Sequence, residues 1–215
     1  MALQAEKLKQ IEYEWDLPRS VPRRGYLFIK RCFDIAVAAV AAFVSAIPML
    51  LIAALIRMTS SGPAIFRQER LGLNGKPFMM LKFRSMYTNA ESNGPQWAHE
   101  NDNRCTPVGR ILREAHLDEL PQLWNIFKGE MSFVGPRPER SFFYDLFEQT
   151  VPDFHMRLQV KPGLTGLAQV NGGYNLGPAE KLRYDLDYIA NCSIYLDMKC
   201  IFKTLRIIFT HEGAR

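Results

Sequence analysis

Ala41 to Arg57 reads AAFVSAIPMLLIAALIR and lies within an uncharged stretch, Ile35 to Ile56, with a proline near its middle. An unbroken helix over that stretch is about 33 Å long, the thickness of a bilayer's hydrocarbon core. Length alone therefore predicts a membrane crossing. Pro48 argues the other way, because an interior proline removes a ladder hydrogen bond and clashes with the carbonyl four residues back, at a cost of about 3 kcal/mol. Split there, the arms are about 20 Å and 14 Å, each too short to cross alone.

The flanks bear on the same choice. Arg19, Arg23, Arg24, Lys30 and Arg31 precede the block, and Arg57, Arg67, Arg70 and Lys76 follow it. Cations gather on the cytoplasmic side of membrane segments. A spanning helix satisfies one flank, whereas a re-entrant hairpin bent at Ser45–Pro48 satisfies both, with the Ser45 hydroxyl available to a carbonyl freed at the bend. A kinked spanning helix remains the competing reading. Glu12, Glu14 and Asp16 lie ahead of the block, and its apolar core is too long for a cleaved signal peptide, so it is expected to be a permanent anchor.

The 215 residues suffice for one ordinary domain plus that anchor. A formal net charge of +5 favours acidic partners. Beside a membrane anchor, phosphorylated small molecules and anionic lipid surfaces are expected rather than nucleic acid. Cys32, Cys105, Cys192 and Cys200 show no CxxC or Cys/His ligand spacing, so neither zinc nor a disulfide framework is expected.

Past the anchor the pattern is mixed α and β, mainly helical. Residues 60–86, SSGPAIFRQERLGLNGKPFMMLKFRSM, predict a small β-hairpin with Asn74-Gly75 at its tip. Alternation along FMMLKFRS puts Lys82 and Arg84 on one face, suited to an anion or to a solvated strand edge. Tyr87 to Thr106 reads as a loop and Pro107 to Ala115 as a helix. A second helix is expected from Asp118, with Pro121 in its first turn, to Lys128-Gly129. Two more follow, over Pro178–Asn191 and Leu196–Thr210. The last carries Lys199, Lys203 and Arg206 beside an apolar face, which suits either a membrane surface or core packing.

Three groups could carry chemistry. Asp118-Glu119 opens a helix, where acidic residues also serve as caps. Arg113 lies upstream, and in SFVGPRPE (residues 132–139) Arg137 is held between two prolines, a stiff support for a phosphate-binding fork. In KPGLTGLAQVNG (residues 161–172), Gly163 and Gly166 allow close backbone approach to a ligand, Thr165 and Asn171 offer polar contacts, and Lys161 supplies charge. This loop matches neither the Walker A pattern nor GxGxxG. A carboxylate pair and several cations beside an anchor point to phosphate chemistry at the interface.

KRCFDI (residues 30–35), FRQERLGLNGKPFMMLKFRSM (66–86), LDELPQLWNIFKGEMSFVGPRPE (117–139), KPGLTGLAQVNG and YIANCSIYLDMKCIFKTL (188–205) occur in the order found in bacterial sugar transferases. The chain resembles these small monotopic phosphoglycosyl transferases, also called polyprenyl-phosphate hexose-1-phosphate transferases, from about Lys30 to Phe209. The resemblance implies a re-entrant helix-break-helix over 30–58 and a catalytic domain over 59–215, after an extension over 1–29. It also implies the bacterial inner membrane, with catalysis on its cytoplasmic face among membrane lipids. The expected reaction moves a sugar 1-phosphate from a UDP-sugar to undecaprenyl phosphate, with Mg²⁺ as cofactor and UMP as product. Asp118 matches the nucleophile and Glu119 its partner at the metal site, so both are expected near Mg²⁺. Arg113, Arg137, Lys82 and Arg84 are the candidate phosphate ligands. Family members commonly carry Ser directly before the re-entrant proline, where this chain has Ile47, with Ser45 two positions earlier. A catalytically silent, nucleotide-binding scaffold is the alternative. The sugar, the polymer served and any homo-oligomer are left open.

Overall fold

The computed structural model describes residues 22–92, 94 and 102–210. Most of the expected extension over 1–29, and part of the expected loop over 87–106, lie outside them. Helix α1 runs from Arg24 to Thr59 with Pro48 inside it. Where two arms joined by a break were expected, helical pairing continues on both sides of the proline. Ser45 donates to the Ala41 carbonyl at 2.6 Å, its own preceding turn, and not to the Val44 carbonyl that Pro48 deprives of a donor.

Both ends of α1 are fastened to the same domain. Near its start, Lys30 pairs with Asp197 at 2.8 Å. Arg31 donates to the carbonyls of Ile126 and Phe127 at 2.7 Å each. Asp34 is buried and accepts from the Ser132 hydroxyl at 3.1 Å and the Phe133 amide at 3.0 Å. At its other end, Arg84 donates to the carbonyls of Ser61 at 2.7 Å and Ser60 at 2.9 Å, and Ile56 packs with Phe83 and Leu112. Between the fastenings most of the apolar side chains face outward, Phe43 being 86 % and Ile47 71 % exposed. So large an exposed apolar face marks a surface for lipid or another apolar partner.

Strands β1 (Ile65–Leu71) and β2 (Pro77–Phe83) pair antiparallel from Ile65↔Phe83 to Leu71↔Pro77. Asn74 (φ 56°) and Gly75 (φ 73°) turn the tip in the left-handed region, as the dipeptide predicts. Helix α2 (Pro107–Glu114) begins where the Thr106 hydroxyl accepts from the Gly109 amide at 2.9 Å. Helix α3 (Gln122–Lys128) stops at Gly129, φ 89°. It starts later than expected, because His116 turns left-handed (φ 56°) and Leu117–Glu119 forms a tight 3₁₀ turn first.

The short parallel pair β3 (Ser132–Val134) and β4 (Gly163–Thr165) was not foreseen, three residues being too few for a period-two pattern. It explains the glycines of residues 161–172. A Cβ on Gly163 would lie 2.1 Å from the Gly135 nitrogen, and one on Gly166 2.1 Å from the Gly135 oxygen. Backbone meets backbone there, so the reading of these glycines as a ligand approach is corrected. Helices α4 (Ser141–Glu148), α5 (Leu167–Val170), α6 (Pro178–Ala190) and α7 (Ile194–Thr210) complete the domain. The main core joins Val134, Tyr144, Phe154, Leu182, Tyr188 and Ile189. A second cluster sets Ala38 of α1 against Phe78, Met80, Ile126 and Met131.

Candidate active site

Asp118 and Glu119 sit in the 3₁₀ turn between α2 and α3, at the wall of a cleft of about 1780 Å³. Opposite them, β2 presents Lys82. Its Nζ lies 2.8 Å from Glu119 Oε1 and 3.8 Å from Asp118 Oδ2. Arg137, just past β3 and between its prolines, hydrogen-bonds Glu119 through both terminal nitrogens, one of them at 3.3 Å. The carboxylates are therefore unequal. Glu119 is saturated by two cations, while no hydrogen bond from the described residues reaches the oxygens of Asp118, which is 6 % exposed.

Electrostatics widen the difference. Burial pushes the Asp118 carboxyl above its ordinary value, and neighbouring Glu119 adds to the rise against the pull of Lys82, Arg137 and Arg113. Burial also acts on Glu119, yet Arg137 and Lys82 together outweigh it and hold that carboxyl well below the usual range. One carboxylate is fixed as a counter-ion, and the other keeps available lone pairs in a desolvated place.

The other residues read from the sequence are distributed unevenly. Arg113 borders the cleft, with Nη1 3.1 Å from the Cys105 sulfur. Arg84 also touches the cleft, but it is buried and its guanidinium is taken by the carbonyls closing α1. Thr165 borders the cleft, and its hydroxyl lies 2.6 Å from that of Thr204 on α7. Lys161, Gly163, Gly166 and Asn171 are not among the residues lining it. Asn171 instead accepts from Lys203 at 2.9 Å. Ser45 and Pro48 lie in α1 and are not among the residues lining the cleft.

Several lining residues escaped the sequence reading: His116, Gln169, Arg157 and Lys181. Arg157 and Asp185 form a fully buried ion pair at 2.6 Å. Arg157 also donates to the Arg137 carbonyl at 3.0 Å, which braces the proline-flanked segment. A charged residue inside a helical or turn pattern gives no signal of such a role until the fold brings it together with its partner. The lining also includes apolar residues, among them Val37 and Ala53 of α1 and Leu205 and Ile208 of α7. Cationic, acidic and apolar side chains thus line one cleft.

Comparison with known proteins identifies the family. A family model described as bacterial sugar transferase matches residues 25–211. The chain is 42 % identical over 206 residues to the UDP-N-acetylgalactosamine-undecaprenyl-phosphate N-acetylgalactosaminephosphotransferase of Aeromonas hydrophila, covering 94 % of this chain and 49 % of that protein. It is 42 % identical over 202 residues to a UDP-glucose:undecaprenyl-phosphate glucose-1-phosphate transferase of Caulobacter vibrioides, covering 90 % and 74 %. It is 36 % identical over 213 residues to the undecaprenyl-phosphate galactose phosphotransferase of Salmonella typhimurium, covering 92 % and 44 %. The chain thus spans about half the length of the first and third of these relatives. Their names carry three different sugars, so similarity does not choose the donor.

Proposed function

The chain belongs to the bacterial sugar transferase family, and from that premise we propose that it transfers a hexose 1-phosphate from a UDP-sugar to undecaprenyl phosphate, releasing UMP. The supporting observation is the unequal dyad: Asp118 accepts no hydrogen bond from the described residues, beside a Glu119 held by Lys82 and Arg137. In this reading an Asp118 oxygen attacks the sugar-bearing phosphorus. The phosphorus–oxygen bond to UMP breaks, its electron pair leaves with UMP, and an aspartyl-phosphosugar remains. An oxygen of the lipid phosphate then attacks the same phosphorus and releases the Asp118 carboxylate. Lys82 and Arg137 neutralise charge on the phosphoryl oxygens, which otherwise repel the incoming carboxylate. Arg113 lies near enough to pull on Asp118's proton affinity and is the third cation of that wall.

The residues present fit Mg²⁺. The ion takes hard oxygen donors, commonly one or two carboxylates together with substrate phosphates. Asp118 offers oxygens that accept no hydrogen bond from the described residues, and Glu119 lies beside it. Glu119 and Asp118 are the two carboxylates that would hold the ion. When bound, it supplies further charge neutralisation at the phosphate oxygens.

The anchor reading follows from the same contacts. Lys30, Arg31 and Asp34 at one end of α1, and Ile56 and Ser60 at the other, are fastened to one domain. A folded, water-facing domain occupies one side of a bilayer, so α1 enters and leaves on that side and dips its exposed apolar middle into the lipid. Nucleotide sugars place that side in the cytoplasm, at the bacterial inner membrane. A water-soluble donor and a bilayer-bound acceptor then use one dyad in turn.

The test is UMP release from a panel of UDP-sugars, with the full chain in lipid, Mg²⁺ and undecaprenyl phosphate. UMP from one donor supports the reading and names the sugar. Folded protein that releases none from any donor contradicts it and favours a silent scaffold.

A further inference from the structure

Beyond the dyad, the cleft has a second cationic wall that the transfer step above leaves unused. Arg157 is 2 % exposed and borders the cleft. Its Nε donates to Asp185, its Nη2 donates to the Arg137 carbonyl, and its face lies 4.7 Å from the Phe154 ring centre. Its Nη1 is buried and has no hydrogen-bond partner among the described residues, a standing cost until an acceptor is supplied. Lys181, in the first turn of α6, borders the same cleft. Burial lowers its ammonium's proton affinity most, and Arg157 and Arg137 lower it further against Glu139 and Asp185. Arg70, which pairs with Glu139 at 3.0 Å, and Arg140, which pairs with Glu91 at 2.9 Å, complete the wall.

We propose that Lys181 and Arg157, supported by Arg70 and Arg140, form a subsite for a phosphate monoester next to the dyad. Arg137 joins the two places, since its side chain holds Glu119 while its carbonyl receives Arg157. The subsite rests on the transferase reading and deepens it. That reaction handles two phosphates: the sugar-bearing one at Asp118, and a monoester that either leaves as UMP or arrives on the lipid. Both monoesters are dianionic near neutral pH and need cations in a desolvated place.

The experiment uses the full chain in lipid nanodiscs and measures UMP affinity by calorimetry, UMP inhibition, and the KM for undecaprenyl phosphate. Lys181→Gln is expected to weaken one of them by about tenfold or more, with Lys181→Arg restoring it. Weakened UMP binding assigns the subsite to the leaving nucleotide, and a raised acceptor KM with UMP affinity intact assigns it to the lipid phosphate. If Lys181→Gln does not fold, Arg140→Gln is read the same way. Constants all within about twofold of the unaltered protein in a folded variant overturn the subsite. Calorimetry needs no turnover, so the two claims fail separately. Unaltered protein that releases no UMP from any donor defeats the transferase reading, whereas active protein with an indifferent Lys181 defeats only the subsite.

Discussion

In the polar part of the cleft, a hairpin strand, a 3₁₀ turn and a proline-flanked segment bring Lys82 and Arg137 within hydrogen-bonding range of Glu119, with Asp118 3.8 Å from Lys82. The apolar part of the lining comes from two helices, with Val37 and Ala53 of α1 and Leu205 and Ile208 of α7. The polar part is held by directional contacts, so single changes there alter chemistry. The apolar part is held by area, so single changes there alter only how well a lipid is received. A catalyst joining a soluble donor to a membrane acceptor needs both, and the difference sets the sizes of the expected effects.

Asp118→Asn gives the largest effect, a loss of UMP release of about a thousandfold or more, because the amide cannot form the intermediate. The same variant should melt higher. Burial raises the Asp118 carboxyl above its ordinary value, so its ionised form destabilises the fold as pH rises through that value, and Asn removes the penalty. Higher activity with a lower melting temperature would reverse the assignment.

Arg137→Met should lower kcat by about a hundredfold, as expected when one preorganised donor to a developing charge is lost. Unchanged kcat in a folded variant would remove Arg137 from the polar part.

Glu119 behaves oppositely to Asp118. Its carboxyl is held low by Arg137 and Lys82, so its stabilising effect is present above its unfolded value and fades as pH falls through the depressed one. Glu119→Gln should therefore lower the melting temperature at neutral pH, by about 2–4 °C for each kcal/mol lost, with the difference from the unaltered protein shrinking in acid. The acid limb of kcat/KM, which reports Asp118, should lie above the ordinary aspartate value and move down in Glu119→Gln, since a like charge is gone. An acid limb that does not move would separate the two carboxylates.

The smallest effect belongs to the apolar part. Leu205→Ser should raise the KM for undecaprenyl phosphate a few-fold, about what loss of a partly buried leucine contact allows, and leave the KM for the donor alone. Equal changes in both would show that the two parts are not separate.

The residues that meet at the dyad could be picked out in the sequence because they lie in compact motifs. Asp118-Glu119 and the proline-held Arg137 were singled out by residue type and local stiffness, and Lys82 by strand alternation. Arg84 satisfied the same alternation, yet it closes the last carbonyls of α1, a partnership across 23 to 28 residues that no local pattern records. The glycines at 163 and 166 look like a ligand loop in sequence but serve a backbone contact with Gly135. Helix α4 and the β3–β4 ladder were missed because short elements inside a long-range core carry little periodicity. A helical apolar segment was foreseen, whereas its continuation as one helix past Pro48 was not, since a proline's local cost does not reveal how firmly two distant fastenings hold a helix.

The central claim, that Asp118 takes the sugar phosphate covalently, is met most directly by mass spectrometry of the protein incubated with its UDP-sugar and Mg²⁺ but no acceptor. The account predicts one hexose 1-phosphate adduct on the peptide bearing Asp118, formed with an equal amount of UMP and discharged by undecaprenyl phosphate. UMP release that requires the acceptor, with no adduct at any time, would contradict it and point to direct transfer between the two substrates.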